Sequence, residues 1–169
     1  MAVLFLIVPD GFRDEEYSVP KQILEEAGFS VITASTVSGS LTGKKNLTTA
    51  QVDITLDKIS AADYQGIMIV GGQRTYWYNA TVLRLLREFQ AGGKLVAAIC
   101  ISGCIPAQAG ILSGQECTVF PDAEAIADIQ KNGGVYVNKP VVVSGNVITA
   151  DGPAAAAEFG RAMVKFLQQ

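Results

Sequence analysis

The sequence predicts a doubly wound α/β domain, and two observations carry that prediction. Short runs of β-branched and apolar residues alternate with amphipathic stretches of helical spacing along almost all of the 169 residues. Several of those runs are apolar at every position rather than every second one, the mark of strands covered on both faces. Strands of this kind alternating with helices form a mostly parallel sheet sandwiched between helical layers. No linker, repeat or low-complexity segment interrupts the pattern, so one domain is expected over 1–169.

The elements follow in order. Ala2–Val8 is a continuous β-branched and aromatic run, broken by Pro9-Asp10-Gly11. Glu15–Ala27 has helical spacing through Val19, Ile23, Leu24 and Ala27, and Gly28 supplies the stop. Ser30–Ser35 is a second strand. Residues 38–57 form a polar excursion, with a hairpin expected around Leu41-Thr42-Gly43, and Lys44-Lys45 reads as a charged loop. Gly66–Val70 is a buried strand ending at Gly71-Gly72, and Ala80–Gln90 is a helix with Val82, Leu85, Leu86 and Phe89 on one side. Leu95–Ile99 is the third buried strand, with Cys100 directly after it. Ser102–Ala109 is expected to be helical, Cys117–Phe120 extended, and Ala123–Lys131 a helix. Val141–Val143 and Val147–Ala150 flank Ser144-Gly145-Asn146 as a hairpin, and Ala154–Leu167 is the last helix.

Composition removes whole classes of function. Thirteen basic against sixteen acidic residues leave a formal charge of −3, without the basic face that a phosphate backbone requires, so no nucleic-acid partner is expected. No apolar run is long enough to cross a bilayer. There is no histidine at all, which excludes Ser-His-Asp and Cys-His triads, HExxH zinc sites and any imidazole base. Three cysteines in an odd count without CxxC spacing suit neither a disulfide framework nor a zinc site. A reducing, cytoplasmic setting is expected, with no cofactor and no metal.

In open parallel sheets, function collects beyond the carboxyl ends of the strands. Four segments lie there: Pro9–Glu16, Gly71–Tyr78, Cys100–Gly103 and Asp151–Pro153. The third is the sharpest. Ala98 and Ser102, two residues either side of Cys100, are both small, as a tight strand-to-helix elbow requires of a nucleophile at its corner. A helix beginning there is expected to favour the thiolate, and the Ile101 amide to face whatever bonds to the sulfur. A buried structural cysteine satisfies the same local sequence. Gly71-Gly72 lets backbone approach a ligand closely, so an amide there pairs with that of Ile101 as an oxyanion hole. A carboxylate from Asp14, Glu15 or Glu16 is placed to reach the sulfur, and spacing does not choose among the three. Tyr76 and Trp77, with Arg74 and Tyr78 beside them, read as a pocket wall or subunit interface. Cys104, about one turn after Cys100, reads as a small buried residue.

These residues together resemble the ThiJ/PfpI superfamily, the group of the Parkinsonism-associated protein deglycase and the PfpI-type intracellular proteases. The resemblance runs through Asp10-Gly11-Phe12-x-Asp14-x-Glu16, Pro20, Glu26-Ala27-Gly28 and Gly71-Gly72. It continues through Ala98-Ile99-Cys100, Ala109-Gly110-Ile111-Leu112, Val143-x-Gly145-Asn146-x-Ile148-Thr149 and Gly152-Pro153. It implies a flavodoxin-like three-layer sandwich assembled as a homodimer or higher oligomer. It also implies Cys100 as the nucleophilic or oxidisable cysteine, Glu16 as its carboxyl partner, and Gly72 and Ile101 as backbone donors. Gly71, Tyr76, Trp77, Phe120 and Asp151 are the further pocket candidates. Three positions depart from the resemblance: Ile101 and Phe120 stand where relatives keep histidine, and Asp151 where arginine is frequent. A peptidase is therefore not expected. The partner expected is a small-molecule substrate or an oxidant. A Cys–Glu catalyst acting on an aldehyde-, glyoxal- or amide-like electrophile is the first function. A non-enzymatic protein responding to oxidation of Cys100 is the second, and a degenerate member working through its oligomeric surface the third.

Overall fold

Seven strands pair in the order β10-β11-β7-β6-β1-β2-β5 in a computed structural model that describes residues 2–169. In chain order the strands of this sheet are β1 (Ala2–Leu6), β2 (Val31–Ser35), β5 (Ile54–Thr55), β6 (Tyr64–Ile69), β7 (Leu95–Ile99), β10 (Val141–Ser144) and β11 (Val147–Ala150). All neighbours are parallel except β10, which returns antiparallel on β11 through the expected Gly145-Asn146 turn. The helices are α1 (Asp14–Glu26), α2 (Ala80–Ala91), α3 (Ile105–Gln108), α4 (Ala123–Lys131) and α5 (Ala156–Leu167). From β1 the chain moves one way through α1 to β2, and the other way from β6 through α2 to β7. Right-handed crossovers in opposite directions put α1 and α2 on opposite faces, so the doubly wound, flavodoxin-like α/β fold stands.

Burial explains the strand assignments. Every residue from Val3 to Val8 is inaccessible, as are all five of β7, so both faces of the central strands are packed. On one side α5 lies against α1, where Gly160 leaves room: a Cβ there would come within 3.2 Å of the Pro20 Cα.

Four expectations need correction. The hairpin in the polar excursion is β3 (Gly39–Thr42) with β4 (Thr49–Val52), and its turn is the loop 43–48 rather than Leu41-Thr42-Gly43. Beyond it, β5 adds an edge strand that two residues were too short to announce. The segment after Cys100 is a 3-10 turn, Cys100–Cys104, followed by the single turn of α3, not a helix over 102–109. The extended stretch at 117–120 contracts to β8 (Glu116–Cys117), which pairs in parallel with β9 (Val135–Tyr136) in a separate small sheet.

Candidate active site

The carboxyl ends of β1, β6 and β7 lie side by side at the point where the strand order reverses, and each delivers one part of the site. β7 ends at Ile99 and leads directly to Cys100, whose φ of +60° makes the sharp left-handed corner expected of the elbow. Ser102 fixes the turn: its hydroxyl donates to the Val70 carbonyl at 3.0 Å. From behind, the Trp77 indole N–H donates to the Ile101 carbonyl at 3.0 Å. In front, the Phe120 amide donates to the Cys100 carbonyl at 3.1 Å.

The helix α1 opens on three carboxylates that point in three directions. Asp14 is buried and accepts from the amides of Lys45, Leu47 and Thr48 at 2.7, 2.9 and 2.8 Å, pinning the hairpin loop. Burial alone raises its carboxyl pKa, but the amide bonds outweigh it and hold the group below the ordinary value. Glu15 faces outward to Arg13 and Lys45. Glu16 points inward and is fully buried; its Oε2 accepts from the Gly71 amide at 3.0 Å. Its Oε1 has no hydrogen bond of ordinary geometry among the described residues; the Cys100 thiol acts on this carboxyl, and Arg13 and Glu15 act on it through their charges.

Gly71 is the spacer that brings the pair together. A Cβ on it would lie 2.3 Å from Glu16 Oε2 and 2.7 Å from Cys100 Cβ. Gly72 has φ of +136°, and a Cβ there would meet the Gly11 carbonyl at 2.4 Å. Burial raises the Glu16 carboxyl to about 7, against the lowering pull of the thiol and the Gly71 amide. Burial first, then the Glu16 charge and hydrogen bond, push the Cys100 thiol well up, with the Ile101 amide and the Arg13 guanidinium acting the other way. The turn after Cys100 is five residues of 3-10 helix and four of α3, so few peptide dipoles are aligned on the sulfur. Burial disfavours the charged form of both groups, and Glu16, raised to about 7, is shifted toward neutrality.

A cavity of about 420 Å³ opens over the sulfur, lined by Arg13, Lys44, Gly72, Cys100, Ile101, Phe120, Asp122 and Pro153. The Gly72 amide makes no hydrogen bond among the described residues, and the Ile101 amide faces the thiol. Of the remaining pocket candidates, Phe120 lines this cavity and Gly71 lies beneath it. Three lie elsewhere. Tyr76 is buried in the core, donating to the Ile7 carbonyl at 2.7 Å. Trp77 supports the elbow from behind and borders a separate surface cavity with Tyr78 and Lys131. Asp151 is half-buried, and its amide donates to the Pro140 carbonyl, outside the cavity lining. Cys104 is fully buried, with its thiol on the Ile101 carbonyl at 3.5 Å.

Sequence reasoning missed Arg13, Lys44 and Asp122. Arg13 stands between the recognisable Phe12 and Asp14, Lys44 was read as a charged loop, and Asp122 falls between the expected extended stretch and the expected helix, where no role was assigned. Only the folding of the hairpin loop back onto α1 shows that the first two share a wall. Among the described residues no group of three or more His, Cys, Asp or Glu side chains is placed to hold a metal ion.

The chain is 39% identical over 170 residues to the uncharacterized protein MJ0967 of Methanocaldococcus jannaschii, covering 99% of this chain and 82% of the relative. It is 34% identical over 171 residues to Deglycase PH1704 of Pyrococcus horikoshii, covering 99% and 100%. Among solved structures, the ThiJ/PfpI domain protein from Brachyspira murdochii superposes with a TM-score of 0.92 at 29% identity, covering 99% of this chain and 96% of that one. The sequence model of the DJ-1/PfpI family matches residues 1–166. By its sheet, its elbow and these matches together, the chain belongs to the DJ-1/PfpI family.

Proposed function

We propose that the protein is an enzyme that adds Cys100 to a small reactive carbonyl compound of the glyoxal type, isomerises the adduct by moving its carbinol hydrogen to the neighbouring carbonyl carbon and its hydroxyl proton to that carbonyl's oxygen, and hydrolyses the resulting thioester to a 2-hydroxy acid and free thiol. The observation carrying this reading is the packing of Glu16 and Cys100 on either side of Gly71, with the Ile101 amide facing the thiol and the Gly72 amide making no hydrogen bond among the described residues. With Glu16 as carboxylate, the thiol proton passes to it while sulfur bonds to the carbonyl carbon. The carbonyl π pair moves onto oxygen, where the Gly72 and Ile101 amides receive it. Glu16 then returns the proton to that oxygen, so the hemithioacetal contains the atoms of thiol and aldehyde and nothing else. Two relatives carrying the name deglycase support chemistry on such adducts.

Peptide cleavage fits less well. A peptidase must protonate a leaving amine, and a chain with no histidine leaves Glu16 alone to do so from a buried position. The test is methylglyoxal consumption by wild type and Cys100→Ala, with intact mass after dilute peroxide. Turnover lost in the variant supports the enzyme. Addition of two oxygens at Cys100 without turnover sinks it in favour of the redox reading.

A further inference from the structure

The cavity over Cys100 carries two cations and one anion, and they are unequally engaged. Asp122 is neutralised: its Oδ1 accepts from the Ala125 amide and from Arg74 Nη2, each at 2.9 Å. Arg13 commits only Nε, to Glu15 at 3.0 Å, and its two Nη groups have no partner among the described residues. Lys44 makes no ion pair among the described residues, whereas Lys45 next to it is held by Glu15 at 2.6 Å.

Both cations are fixed to the oxyanion amides through backbone. The Lys44 amide donates to the Phe12 carbonyl at 2.8 Å and the Arg13 amide to the Gly71 carbonyl at 2.9 Å. Gly72 packs directly on the backbone of Gly11, Phe12 and Arg13. The charge of Arg13 reaches both Cys100 and Glu16. A neutral ligand would leave two positive groups facing one space with the only anion already spent. A carboxylate completes the set: the guanidinium fork takes it in two hydrogen bonds and the lysine adds a point charge.

We propose, resting on the reading of Cys100 as nucleophile, that the natural substrate is a small 2-oxo aldehyde bearing a carboxylate, its aldehyde carbonyl at the sulfur and its carboxylate on Arg13 and Lys44. Phe120 and Pro153 supply the apolar remainder of the wall, suited to a short carbon chain. The cavity lies toward the small end of ligand sites, which agrees with a substrate of a few carbons.

The test uses alkylation of the sulfur, which needs no turnover. Iodoacetate and iodoacetamide differ in charge; each forms the S–C bond, expels iodide and loses the thiol proton to Glu16. The expected result is a ratio of iodoacetate to iodoacetamide rates at Cys100 about tenfold above that of the unfolded chain, the size of one well-placed charged hydrogen bond. The ratio falls several-fold in Lys44→Gln and in Arg13→Gln, falls further in Lys44→Glu, and shrinks with added salt. Glyoxylate protects the wild type from both reagents and protects the variants poorly. Taking a ratio cancels any general change in the reactivity of the sulfur. A ratio unaltered in all three variants overturns the proposal, while methylglyoxal turnover in the same preparations keeps the enzymatic reading. A Cys100 no more reactive than the buried Cys104 and Cys117 overturns both.

Discussion

Glu16 illustrates how narrowly a site can be specified. Successive helical residues are about 100° apart, so three consecutive carboxylates face three different surroundings. Asp14 takes the hairpin loop, Glu15 the solvent, and Glu16 the sulfur. The sequence showed that a carboxylate opened α1 but not which one turned inward, because that choice depends on where the first turn begins. Cys100 was legible for the opposite reason: the small flanks and the preceding apolar strand are local properties of the elbow itself. With Glu16 raised to about 7, the base is half available at neutrality. The rate of Cys100 alkylation or of turnover should rise through about pH 7 and level off above it. Glu16→Gln should flatten that rise and lower the plateau by about a hundredfold, within the usual contribution of a general base. A pH–rate profile of the two proteins is the measurement.

At the scale of elements, the hairpin β3–β4 is the part least anticipated and most consequential. Its polar loop carries no periodicity to reveal that it folds back on α1, yet it presents Lys44 to the cavity. Asp14 is the clasp, and Gly43 is what lets the clasp close, since a Cβ there would lie 2.3 Å from Asp14 Oδ1. Oδ2 serves Lys45 while Oδ1 serves Leu47 and Thr48. Asp14→Asn therefore keeps one acceptor and sets an amide N–H₂ against the amide of the loop. The expected cost is about 2 kcal/mol, from one lost charge-assisted bond and a donor facing a donor. Hydrogen exchange should accelerate first at Lys45, Leu47 and Thr48, ahead of the core strands. The 3-10 turn after Cys100 belongs to the same lesson. Small residues announced a sharp turn there but not that it would stay too short to act as a dipole.

For the whole molecule, the mostly parallel central sheet covered on both faces was legible in the alternation of apolar runs and helices, whereas the order of its strands came from the structure. The two-residue strands β5, β8 and β9 were not legible, because two residues define no period. Stability against pH is a property at this scale, set by opposed groups. Glu16 has a folded pKa above its unfolded one, so its contribution is full below about 4.5 and lost as pH rises through about 7. That loss is on the order of 3 kcal/mol. Asp14, and Glu15 at about 2 through its bond to Lys45, are displaced downward; their contributions exist above the unfolded values and vanish in acid. Thermal stability should therefore peak near pH 5 and decline toward pH 8. Glu16→Gln should remove most of the decline on the alkaline side, so that its melting temperature exceeds that of the wild type at pH 8 but not at pH 4. Melting curves across that range decide it; a wild type most stable at pH 8 would contradict the assignment of Glu16 as the buried acid.

The left-handed backbone at Cys100 has one more consequence. A residue with a Cβ at φ of +60° sits uphill of glycine by roughly 1 kcal/mol. Cys100→Gly should accordingly melt higher than Cys100→Ala, although both lack the thiol. Holding a sulfur at the corner of the elbow therefore costs the fold about that much stability relative to glycine.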